Sequence, residues 1–176
     1  MTTRRGLRPR MIVLEDEETV RKFVMRTAED SGFAVYGVQS HASFFVAFNT
    51  HNPQVVVLDI FPGHEDVLRV VSFLHNKAFA GLVILMSGYD RRVLTAIGGL
   101  AEEHGLRVHA LIDKASLPSE LKEACLRASF LLSTPDGTPG IPVLDPALDP
   151  ALVPVIDRTS AKPGRGSLPR RGQGAA

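Results

Sequence analysis

The sequence predicts an α/β domain built on a parallel, doubly wound sheet. Two observations carry this expectation. Short apolar runs, rich in β-branched residues, alternate with segments of helical periodicity, five of each. Four of the runs also end in polar or charged residues of matching chemistry, as expected where open α/β sheets gather their functional groups.

The elements follow in order. Met11-Ile12-Val13-Leu14 reads as the first strand and runs into Glu15-Asp16. A helix is expected over Glu17–Asp30, with Val20, Phe23, Val24 and Thr27 as its apolar stripe and Gly32 at its C-terminal cap. Phe33–Val38 is the second strand. Ser40 can cap a helix through Ala47, and Asn52-Pro53 breaks the chain before the third strand. That strand, Val55–Leu58, reads as buried on both faces and ends in Asp59. Helices are predicted over Glu65–Asn76, Asp90–His104 and Leu117–Leu132. Pro118 suits the first turn of the last one, where its missing N–H costs nothing. Between them, Leu82–Met86 runs into Ser87-Gly88, and Val108–Ile112 into Asp113-Lys114.

Composition changes near Ser133. Eight of the twelve prolines lie beyond it, with many glycines and no aromatic residue. Such a segment cannot bury enough apolar area to offset its ordering entropy, so 134–176 is expected to be a disordered tail. It holds a short tandem repeat, Asp145-Pro-Ala-Leu then Asp149-Pro-Ala-Leu. The expected organisation is a basic extension over 1–10, a domain over 11–133, and the tail.

Bulk properties exclude several classes. A net charge of +1 gives no preference for nucleic acid or an anionic membrane. No apolar run approaches the roughly 20 residues of a membrane span, and the run behind the basic N-terminus is too short for a secretory signal. One cysteine, Cys125 in an apolar helical pattern, suits a reducing, cytoplasmic location and a buried structural role. The six histidines show no metal-ligand spacing in sequence. Gly98-Gly99 is too isolated to cradle a phosphate, and no glycine-rich turn follows the first strand.

If the strand ends meet, Glu15, Asp16, Asp59, Ser87 and Lys114 share one edge of the sheet. Three crowded carboxylates repel one another, which raises some of their pKa values unless a cation binds. Mg²⁺ suits such hard oxygen ligands. A carboxylate beside it can act as nucleophile toward a phosphoryl group, with Lys114 and Ser87 neutralising the phosphoryl oxygens.

The first 130 or so residues resemble a response-regulator receiver domain of two-component signalling. The matching pieces are Glu15-Asp16, Asp59, Ser87-Gly88 and Lys114, each after the corresponding strand, with Arg21-Lys22 and Asp66 at family-like offsets. The resemblance implies a flavodoxin-like fold with strand order 2-1-3-4-5. It implies that Asp59 accepts phosphate from a histidine kinase or phosphorelay protein. It further implies Mg²⁺ held directly by Asp16, Asp59 and the Phe61 carbonyl and through water by Glu15, with Ser87 and Lys114 on the phosphoryl oxygens. Output is expected through a downstream protein partner, without direct contact to nucleic acid or membrane, because the tail is too short and polar for an output domain. The sequence departs from the family's pattern at Pro62-Gly63, where proline usually stands at the second position. Val67 replaces a usual glycine, Ala115 a cis proline, and Leu111 an aromatic on the fifth strand.

Two alternatives remain open at this level. One is a receiver-like module whose contacts do not need phosphate, which the departures favour. The other is a phosphatase, since Asp16-Glu17-Glu18-Thr19-Val20 approaches the aspartate-nucleophile motif of haloacid-dehalogenase-like enzymes. That motif wants aspartate where Glu18 stands.

Overall fold

The alternation of apolar residues along each strand decides how the layers assemble. The structure, a computed structural model, describes residues 8–60, 65–88 and 91–133. Its strands are β1 (Arg10–Leu14), β2 (Ala34–Val38), β3 (Val55–Asp59), β4 (Leu82–Ser87) and β5 (Arg107–Asp113). They form one sheet in the order β2-β1-β3-β4-β5, every neighbouring pair parallel. The helices are α1 (Glu18–Asp30), α2 (His41–His51), α3 (Glu65–Asn76), α4 (Arg91–Glu103) and α5 (Leu117–Ser133). The flavodoxin-like topology expected from the sequence is the observed one.

Side chains on a strand alternate between faces, so the sheet separates two cores. Ile12, Leu14, Val56, Leu58, Val83 and Leu85 face α2, α3 and α4, meeting Phe44, Val70, Leu74 and Leu94. Met11, Val13, Val55, Val57, Ile84 and Met86 face α1 and α5, meeting Val24, Ala28, Leu121 and Cys125. The first core contains a phenylalanine cluster. Phe73 of α3 lies 4.6 Å from Phe45 and 5.2 Å from Phe48, ring centre to ring centre. Such edge and offset pairs add stabilisation beyond the area they bury.

Several boundaries shift from the expected ones. β1 starts at Arg10, whose N–H donates to the Gln54 side chain at 2.6 Å. α2 runs one turn past Ala47 to His51. Phe48 needs that turn to reach the core, and His51 stacks on Tyr36 at 3.6 Å. Asn52 then ends the helix in the left-handed region (φ 44), its N–H bonded to the Phe48 carbonyl. In α1 the buried stripe is Val24 and Ala28, with Val20 and Met25 packed against them. Phe23 and Thr27 are displaced by about 100° around the helix. Phe23 is exposed, and the Thr27 hydroxyl donates to its carbonyl. Gly32 takes the left-handed conformation (φ 97) that the cap after α1 requires.

Cys125 is fully buried, and burial pushes its thiol up to about 12, which leaves it protonated and inert. No helix among the described residues is long and apolar enough to cross a membrane. Residues 1–7, Phe61 to His64, Tyr89-Asp90 and the expected tail over 134–176 lie outside the described residues, as does the side chain of Asp66.

Candidate functional site

The strand order brings the expected residues to one edge. β1 and β3 are neighbours with Leu14 opposite Leu58, so Glu15 and Asp59 leave the sheet side by side. β4 lies next, with Met86 opposite Asp59, and Ser87 is paired with Asp113 of β5. The carboxylates of Glu15, Asp16 and Asp59 each place an oxygen within 4.8 Å of the others. Glu15 is fully buried, Asp59 nearly so, and Asp16 is exposed. The chain turns at the end of β1, which lets adjacent residues face one pocket.

That turn is held from two sides. The Glu15 N–H donates to the Val38 carbonyl at 3.1 Å, which extends the β1–β2 pairing by one bond. The Arg21 guanidinium donates to the carbonyls of Glu15 and Asp16 at 2.8 and 3.1 Å. In the sequence Arg21 stands out only as part of a basic pair at a family-like offset. Its bracing role was missed, although one turn into the helix after an acidic loop is within reach of that loop.

Lys114 closes the site. Its ammonium lies 2.7 Å from Asp59 Oδ2 and 2.8 Å from Glu15 Oε2. No cis peptide bond occurs among the described residues, the Lys114–Ala115 bond included. Lys114 nevertheless reaches the pocket, because a short 3-10 turn over Lys114–Ser116 follows β5. The Asp113 carboxylate caps that turn by accepting the Ala115 N–H at 2.9 Å. Ser87 is buried at the end of β4. Gly88 stands beside the Lys114 stem, where an added Cβ would lie 3.5 Å from Cδ.

Burial, more than mutual repulsion, sets the electrostatics. It pushes the Glu15 carboxyl up to about 7, against the opposing pull of Lys114 and with a further rise from Asp59. Burial also raises Asp59, and Lys114 again opposes it. For Lys114, burial works to lower the pKa, but Asp59 and Glu15 outweigh it and hold the ammonium above its ordinary range. Burial therefore raises both carboxyls, and Lys114 opposes the rise in each.

The residues fit a hard divalent cation. Asp59 Oδ1 is buried and has no hydrogen-bond partner, a costly state for a carboxylate oxygen. It belongs to the same three-carboxylate cluster, whose donors are all oxygen, the set that Mg²⁺ prefers. Glu15, Asp16 and Asp59 each offer one carboxylate oxygen to such an ion. The Phe61 carbonyl, expected as a further ligand, lies outside the described residues.

No family model matches the sequence, and no curated protein matches it. Solved structures do. The receiver domain of the putative response regulator NarL from Mycobacterium tuberculosis is 23% identical with a TM-score of 0.57, covering 70% of this chain and 97% of that one. A response regulator from Colwellia psychrerythraea is 22% identical with a TM-score of 0.58, over 71% and 97% of the two chains. One from Thermotoga maritima is 20% identical with a TM-score of 0.58, over 73% and 100%. The chain has the fold of response-regulator receiver domains, as the resemblance implied.

Proposed function

We propose that this chain is a phosphoacceptor receiver. Asp59 takes a phosphoryl group from the phosphohistidine of a histidine kinase or phosphotransfer protein, and the signal leaves through contacts with a downstream protein. The observation that supports this best is the Asp59 carboxylate itself. It is buried at the end of a central strand, with one oxygen held by Lys114 and the other without a partner.

In the transfer, an Asp59 oxygen attacks phosphorus as the P–N bond breaks, and the released imidazole takes up a proton. Lys114, already 2.7 Å from the carboxylate, can follow the negative charge onto the phosphoryl oxygens. The Ser87 hydroxyl, at the end of β4, would donate to the same oxygens. Mg²⁺, held by Asp16 and Asp59 with Glu15 through water, would neutralise charge on the transferring group. Arg21 keeps the acidic turn in place. The reading implies a cytoplasmic location and a signalling domain over 11–133 that does not need 134–176. It involves no direct contact with nucleic acid or membrane, and no turnover beyond the domain's own phosphorylation and dephosphorylation.

Output is assigned to the face of α4, β5 and α5. Leu111 stands where receivers usually carry an aromatic switch. Its side chain packs on Gly98 of α4, where an added Cβ would lie 2.9 Å from Leu111 Cδ2. Leu111 can repack there but has no polar tip to exchange a hydrogen bond. The bistable element is then the backbone after Ser87. A second reading, a module indifferent to phosphate, is favoured by the departures at Pro62-Gly63, Val67 and Ala115. Amide exchange with and without beryllofluoride and Mg²⁺ separates the two. The switch predicts changes in residues 87–112. Changes confined to the pocket, or none, favour the phosphate-independent module.

A further inference from the structure

His75 and His104 are 29 residues apart in sequence, but the fold brings them together. They lie in the last turn of α3 and just past α4, at the sheet edge away from Asp59. Both backbones are fixed by the chain reversals that follow. Ala78 (φ 49) and Gly105 (φ 77) take left-handed conformations, and the Ala78 N–H donates to the His75 carbonyl at 2.9 Å.

Their hydrogen bonds fix the tautomers. His75 Nδ1 lies 2.7 Å from the His104 carbonyl oxygen, and His104 Nδ1 lies 2.8 Å from the Leu100 carbonyl oxygen. A carbonyl oxygen only accepts, so each Nδ1 carries the proton, and in neutral imidazole the lone pair is on Nε2. Histidines that bind metals are commonly oriented this way, one N–H tied to a carbonyl and the other nitrogen on the ion. The ring centres are 5.5 Å apart, with planes at 88°. An ion about 2.0–2.1 Å from each Nε2 stands roughly 3 Å from each ring centre, so two imidazoles on one tetrahedral ion have centres about 5 Å apart. Both helices also direct the negative ends of their dipoles toward this edge, which favours a cation.

We propose that His75 and His104 form a two-histidine site for a borderline divalent transition-metal ion. Zn²⁺ is the ion whose tetrahedral preference matches the ring spacing, and water completes its shell. Imidazole nitrogens distinguish this site from the all-oxygen cluster at Asp59. A bound ion clamps the carboxyl ends of α3 and α4 together.

The test adds Zn²⁺ to the full chain in the presence of excess Mg²⁺, which occupies the acidic cluster. Binding is followed by calorimetry and by the imidazole ¹⁵N resonances. One Zn²⁺ per chain is expected, with the Nε2 resonances of His75 and His104 moving together. Losing a ligand costs at least as much as losing an outer-shell partner, so His75→Gln and His104→Gln should each weaken binding roughly 10- to 100-fold or more. Asp16→Asn should leave Zn²⁺ affinity unchanged. Resonance shifts confined to other histidines, binding that survives both histidine substitutions, or no response to excess Zn²⁺ would overturn the proposal. The resonance measurement uses the unaltered chain, so it stands even if a variant folds poorly.

Discussion

Replacing Lys114 with methionine isolates the electrostatics of the site. Methionine keeps an unbranched apolar stem of similar length beside Gly88 and removes the ammonium. Two carboxylates, one fully buried and one nearly so, then lose the cation that lies 2.7 and 2.8 Å from them. Breaking one partner out of a buried ion pair costs roughly 3–5 kcal/mol. The Lys114 side chain is 20% exposed, which places the expected loss near the lower end, about 3 kcal/mol. The loss depends on pH in a defined direction. Glu15 is already pushed up to about 7 with Lys114 present, and Asp59 is raised. Without the ammonium both rise further. A carboxyl with a raised folded-state pKa costs stability only where it is ionised. The penalty is therefore full above the folded pKa and fades as pH falls toward the ordinary carboxylate range. Chemical denaturation without Mg²⁺ should show about 3 kcal/mol lost at pH 8.5 and about 1 kcal/mol or less near pH 5. Mg²⁺ at about 100 times its Kd should return up to about 2.7 kcal/mol at the higher pH. A loss under about 1 kcal/mol at pH 8.5, or an equal loss at both pH values, refutes this account of the site.

Three further outcomes follow from the same structure. Asp16→Asn should abolish the Mg²⁺-dependent rise in melting temperature while leaving the apo melt nearly unchanged, since Asp16 is exposed; a retained Mg²⁺ response would remove it from the ligand set. Gly99→Ala should stabilise α4 by about 0.5–1 kcal/mol, because nothing lies within 4 Å of the added Cβ. Gly98→Ala should gain little or nothing in a denaturation curve, because its Cβ meets Leu111 at 2.9 Å. Ending the chain at Ser133 should change unfolding free energy by less than about 0.5 kcal/mol, and a larger loss would show that 134–176 contributes to the folded domain.

The centre of the sheet was legible in the sequence because β1, β3 and β4 are buried on both faces. Val55–Leu58 and Leu82–Met86 admit almost no polar residue, and the carboxylates and hydroxyl mark where each strand ends. The helix faces were less legible. Val20, Val24 and Ala28 follow one line along α1, but alanine is a weak hydrophobic signal beside the more apolar Phe23. Burial at that position depends on how α1 sits against the sheet. The site residues were readable as a set, whereas their support was not. The capped turn that carries Lys114 without a proline rests on Asp113, and the acidic turn on Arg21; both are side chain to backbone bonds with no sequence signature of their own. The His75–His104 pair was invisible for a different reason: contact between residues 29 apart exists only once α3 and α4 end at the same edge.

The central claim is that Asp59 accepts a phosphoryl group, and intact mass after incubation with a small phosphodonor such as acetyl phosphate and Mg²⁺ tests it most directly. The account predicts the added mass of one phosphoryl group, removed by hydroxylamine and lost in Asp59→Asn, a nearly isosteric change that leaves the fold in place. Unmodified mass in the folded, Mg²⁺-loaded chain, or undiminished labelling of Asp59→Asn, would contradict it.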